Sequence, residues 1–99
     1  MSETVKDGSS VTIKPGYDIV ASRVDELKTE LKAIIEGGIV KLTVDFSETT
    51  MIDSMGIGIL IATYNSLKKK NAQMELINVS AEIASLLKNM RLNQYFAVS

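Results

Sequence analysis

From Val11 onward the chain alternates between segments whose apolar residues recur every second position and segments whose apolar residues recur at helical spacing, with short connections between them. A period of two sends successive side chains to opposite faces of a strand, whereas a period near 3.6 lines one side of a helix. Strands separated by helices in this order pair in parallel through crossovers, which confines the chain to an α/β fold. At 99 residues it holds one domain, spanning 1–99, with one hydrophobic core.

The first segments depart from the parallel pattern. Asp7-Gly8 is a turn pair between two short stretches of strand character, Val5-Lys6 and Val11-Thr12-Ile13, so an N-terminal hairpin is expected, ended by Pro15-Gly16. The hairpin makes the sheet mixed. Val24, Leu27, Leu31, Ile34 and Ile35 then predict a first helix, with Ser22 as its cap, Asp25 as a capping-box acid and Gly37-Gly38 as its stop.

Ile39 to Phe46 alternates, with Val40, Leu42, Val44 and Phe46 on one face and Lys41, Thr43 and Asp45 on the other, so one face of the sheet stays wet and the helices pack mainly on the other. A second helix is predicted from Ser54 to about Lys70, laying Ile57, Leu60, Ile61, Tyr64 and Leu67 on the sheet. Met74 to Val79 reads as a further strand. Ser80 caps a third helix carrying Ile83, Leu86, Leu87 and Met90 and ending before Leu92, and Tyr95 to Val98 supplies an edge segment.

Composition removes whole classes of function. A net charge of -1 gives no basic footprint for nucleic acid. The absence of Cys and His removes thiolate nucleophiles, imidazole bases and the usual zinc ligands, so neither an enzyme nor a cofactor-bearing protein is expected. No apolar run approaches the ~20 residues of a membrane span, and the polar N-terminus lacks a signal-peptide core, so a soluble, cytoplasmic protein is expected. Without a secretory signal, the glycosylation-like Asn78-Val79-Ser80 reads as the entry to the third helix.

The chemistry-bearing feature is Asp53-Ser54, placed directly before fourteen uncharged residues, Ser54 to Leu67. A serine at a helix start can simply cap it, as can Asp53. The same position also tolerates a phosphate, because the first N–H groups are unpaired and the helix dipole is positive there. Gly56 and Gly58 each cost about 1 kcal/mol of helix propensity, so they point to a close approach of backbone or ligand, or to tight helix–sheet packing.

Gly56-Ile57-Gly58 is no dinucleotide loop, since the third glycine would fall at Ile61. Nor is Ser54 a hydrolase nucleophile, because the elbow glycine is replaced by Ile52 and no histidine exists to serve as base. Lys68-Lys69-Lys70 reads as a solvated helix end. The helix face bearing Met55, Ile59, Ala62, Thr63 and Ser66 is uncharged, and is either a docking surface or covered by a neighbouring helix.

Val44-Asp45-Phe46-Ser47 and Asp53-Ser54-Met55-Gly56-Ile57-Gly58-Ile59-Leu60 resemble the signature of STAS domains, specifically bacterial anti-sigma-factor antagonists. Gly16-Tyr17-Asp18 and Leu76-Ile77-Asn78-Val79-Ser80 extend the resemblance more loosely over the chain. It implies a partner-switching module whose serine, here Ser54, is phosphorylated by an ATP-dependent anti-sigma serine kinase and dephosphorylated by a serine phosphatase. The unphosphorylated form binds the kinase, which releases its client, and the phosphorylated form does not. Asp18, Asp53, Ser54, Met55, Gly56, Ile59 and Ala62 are the expected partner-binding residues, on a monomer or weak dimer. A new phosphate would stand beside Asp53 and near Asp45 and Glu48. Met55 departs from the Ser or Thr common in the family, and Asn71 from a helix-ending glycine. The alternative implied role is a STAS scaffold subunit assembling through the Met55/Ile59/Ala62 face without phosphorylation. A small-molecule site would rest on the two glycines alone.

Overall fold

A computed structural model describes residues 2–99. In chain order the elements are β1 (Glu3–Asp7), β2 (Ser10–Lys14), α1 (Val24–Glu36), β3 (Lys41–Asp45), α2 (Ser54–Lys69), β4 (Gln73–Ile77), α3 (Ala81–Asn89) and β5 (Ala97–Val98), with a 3-10 turn at Leu92–Gln94 before β5. The five strands form one sheet in sequence order. β1 and β2 are the expected antiparallel hairpin, and every later neighbour pairs in parallel.

Register explains why the sheet has one apolar face. Val11, Leu42 and Met74 lie in one row across β2, β3 and β4, and Ile13, Val44 and Leu76 in another. All six are buried, and together with Leu27 and Leu31 of α1, Leu60 and Leu67 of α2, and Ile83 and Leu87 of α3 they make a single core. The intervening row, Thr12, Thr43 and Glu75, faces the other side. There the Thr43 hydroxyl donates to Glu75 Oε1 at 3.1 Å and Lys41 Nζ pairs with the same oxygen at 3.2 Å, so the open face is held by polar contacts. The protein is thus a single α/β domain of five strands and three helices, with the helices mainly on one face.

Several local expectations need correction. Ser22 does not cap α1: Arg23 stands at the N-cap without a side-chain bond, because Val20 to Arg23 form a turn closed by Arg23 N–H on Val20 O at 2.8 Å. Val40 does not share the apolar face and is exposed, since the left-handed Gly38 shifts the chain so that Ile39 takes the buried place before β3 begins. Ile61 lies at the edge of the core stripe and is partly exposed, whereas Ile59 and Thr63 are buried, so for these two the reading of a face covered by a neighbouring helix holds. The reason is that α1 packs alongside α2, so α2 is covered from two directions. The Ser80 cap is as expected, with its Oγ accepting Ile83 N–H at 3.2 Å.

Candidate functional site

The loops leaving the C-terminal ends of β2 and β3 run side by side and are stitched together. Ile19 N–H donates to Met51 O at 3.1 Å and Asp53 N–H to Ile19 O at 3.3 Å, forming an isolated parallel bridge between Ile19 and Ile52. Buried Thr49 adds its hydroxyl to Tyr17 O at 3.0 Å. In an open α/β sheet this carboxyl edge is where binding sites form.

Two carboxylates complete the stitching. Asp18 Oδ1 accepts Thr50 N–H at 2.9 Å, the Thr50 hydroxyl at 3.1 Å and Met51 N–H at 3.1 Å. These donors, the Thr50 amide first, hold the Asp18 carboxyl below the usual carboxylate range. Asp53 is the N-cap of α2: its Oδ1 accepts Gly56 N–H and its Oδ2 accepts Ala21 N–H, both at 2.9 Å. The Gly56 amide, followed by that of Ala21, lowers the Asp53 carboxyl as well. One residue therefore caps the helix and anchors the neighbouring loop.

Gly56 is required by the same approach. A Cβ there would run into Ile19 O and stand 2.7 Å from Ile52 Cγ1, so the helix start sits against the backbone bridge. A Cβ at Gly58 would meet nothing within 4 Å, so the close-approach reading holds for the first glycine and fails for the second, which looks into open space.

Since Asp53 takes the capping role, Ser54 is the first helical residue and its side chain is left exposed. Met51 and Met55, near it in the sequence, are exposed at 59% and 56%. Asp45 and Glu48 are engaged elsewhere: Asp45 accepts Asn78 Nδ2 at 3.0 Å and Ser47 N–H at 2.9 Å, and Glu48 pairs with Lys14 at 3.2 Å. The carboxylate adjoining Ser54 in sequence, Asp53, is the one built into its helix start.

The structure thus gathers Asp18, Asp53, Ser54, Met55 and Gly56 at one end of the sheet. Ala62 lies two turns along α2, exposed, while Ile59 turns into the seam with α1. Thr49, Thr50, Met51 and the Ala21 amide were not foreseen. No spacing in the sequence marks a hydroxyl or amide that bonds across more than thirty residues. Among the described residues no His/Cys/Asp/Glu cluster could hold a metal, and no helix is long and apolar enough to cross a membrane.

The fold is thus a mixed-sheet α/β domain with a capped, hydroxyl-bearing helix start at its carboxyl edge. The chain belongs to the STAS domain family, whose model matches residues 2–99. Its anti-sigma antagonist branch consists of non-enzymatic binding proteins. Similar solved structures include a protein described as an anti-sigma factor antagonist from Thermotoga maritima, with TM-score 0.92 and 14% identity over 98% of this chain and 84% of that one. An anti-sigma factor antagonist from Mycobacterium paratuberculosis has TM-score 0.88 and 17% identity, covering 99% and 83%. The Bacillus cell fate determinant SpoIIAA in its phosphorylated form has TM-score 0.78 and 15% identity, covering 100% and 91%. At these identities the likeness is one of fold, an anti-sigma-antagonist-like STAS fold.

Proposed function

We propose that the protein is an anti-sigma-factor antagonist that switches partners through Ser54. In this reading the unphosphorylated form docks an ATP-dependent anti-sigma serine kinase, which then releases its client. Phosphorylation of Ser54 blocks docking, and a serine phosphatase restores it. The observation that carries the reading is the exposed Ser54 hydroxyl at the first position of α2, with Asp53 already serving as cap.

The electrostatics favour a switch at the surface. Phosphate adds about -1.5 to -2 charges, and the Gly56 and Ala21 amides that would welcome an anion are already bound by Asp53. The new charge stays outward beside Asp53, near the exposed Met51 and Met55 in the sequence, where a partner matched to an apolar, uncharged patch meets repulsion and a desolvation cost. The fold need not rearrange. A phosphorylated form of a protein with this fold, SpoIIAA, lends support.

Intact-mass analysis of wild type and Ser54→Ala after incubation with ATP, magnesium and the cognate kinase tests the modification; one phosphate on Ser54, absent from the variant, is expected. Binding tests the switch: Ser54→Ala should bind the kinase and Ser54→Asp should bind it far more weakly. Equal binding by both would instead favour assembly as a STAS scaffold subunit, through a face reduced to Met55, Ala62 and Ser66 now that Ile59 is buried.

A further inference from the structure

Away from Ser54, the seam between α1 and α2 opens into a groove of about 470 Å³. Its floor is made by the buried side chains Leu31, Ile35 and Ile59 with Thr63. Ala62 and Ser66, small and exposed, leave the α2 wall low. Around this apolar slot stand Lys28 and Lys32 from α1, Lys69 at the end of α2 and Lys70 directly after it, against a single acidic group, Glu36.

That concentration of cations is out of keeping with a chain whose net charge is -1. Among the described residues the ion pairs use Lys14, Arg23 and Lys41, and Lys28, Lys32 and Lys69 have no acidic partner. Lys70 is held in place, donating from Nζ to Ile35 O at 3.3 Å, and so ties the C-terminal end of α1 to α2. In the sequence the lysine run looked like a solvated helix end. The fold brings half of the basic rim from a second helix more than thirty residues away.

We infer that this groove binds a single-chain anionic amphiphile, its hydrocarbon chain lying on Leu31, Ile35 and Ile59 and its acidic head held by the lysines. The volume lies in the range of small-ligand sites, which are apolar with a few polar groups that fix orientation. An aliphatic floor bordered by four lysines and one carboxylate matches a hydrocarbon chain that ends in an acidic group. Charge complementarity selects the sign of the head group.

The test is a ¹H–¹⁵N NMR titration of the full chain with dodecyl phosphate below its micelle concentration, beside dodecyltrimethylammonium and inorganic phosphate. Saturable shifts confined to amides around Leu31, Ile35, Ile59 and Ala62, seen with dodecyl phosphate alone, are expected. Lys28→Gln/Lys32→Gln should weaken binding about thirty-fold, from two lysine–headgroup contacts, and Ser66→Leu should fill the slot and abolish binding. All these positions are exposed, and an unchanged Tm confirms that the variants fold. Equal binding of the cationic amphiphile, the same shifts with inorganic phosphate at the same affinity, shifts spread elsewhere, or wild-type affinity in the variants would overturn the inference. Because Ser54 takes no part, the outcome is independent of the phospho-switch.

Discussion

The two ends of β2 and β3 are built by different means. At their N-terminal ends, as at that of β4, the connections are short and rely on left-handed backbone, at Gly8 (φ 62°), Gly38 (φ 79°) and Asn71 (φ 57°). At the C-terminal ends of β2 and β3 the loops are long, and are held by Asp18, Thr49 and Asp53 bonding across 32 or 33 residues. The first end is fixed by what single residues prefer, the second by what distant residues do to one another. Only the second carries the exposed Ser54.

The most damaging way to break that difference is Gly56→Ala. Its Cβ meets Ile19 O, a backbone atom that cannot swing aside, so a loss of about 3 kcal/mol in chemical denaturation is expected. Asp53→Ala comes next, removing a cap and a loop anchor together. Amide exchange at Ala21 and Gly56 should accelerate while that of Gly37 and Asn71, at the other end, holds.

Acid should act on the same end. The folded-state pKa values of Asp18 and Asp53 are depressed, so their stabilisation is fully present above the unfolded value of about 4 and is lost as pH falls through the lowered folded values. A Tm-against-pH profile of Asp18→Asn/Asp53→Asn should therefore be flatter below about pH 4 than that of wild type. Asp45 contributes with the same sign: burial raises its carboxyl, but Asn78 and Ser47 outweigh that and the net shift is downward.

At the turn end, Asn71→Ala forces a Cβ-bearing residue without a compensating polar group into the left-handed region, at a cost of about 1 kcal/mol. Gly58→Ala sharpens the contrast from within α2. With open space around it, the substitution should stabilise by up to about 1 kcal/mol, opposite in sign to its neighbour two residues earlier.

Much of this was legible before the fold was known. The hairpin at Asp7-Gly8, the alternation of strands and helices, the extent of α2 and the Ser80 cap follow from period and turn chemistry, which act over a few residues. So did the chemical interest of Asp53-Ser54. Which of the two would cap was open, because Asp and Ser compete equally at that position; the Ala21 amide, delivered by the neighbouring loop, is a second partner that Asp53 alone engages. The outer face of α2 was ambiguous for a related reason. A helix pattern records how apolar each side is, not whether solvent or α1 lies against it, so only the fold shows that α1 covers Ile59 and Thr63 while Met55 and Ala62 stay exposed.

By itself, then, the sequence determined the elements, their order and the serine at the head of α2, because propensity, periodicity and capping are short-range. Tertiary structure alone decided that Asp18 and Asp53 would lock two loops, that Gly56 and not Gly58 is indispensable, and that lysines from two helices would ring one apolar slot. Each of these depends on atoms far apart in the chain meeting within a few ångströms, and no local rule encodes such a meeting.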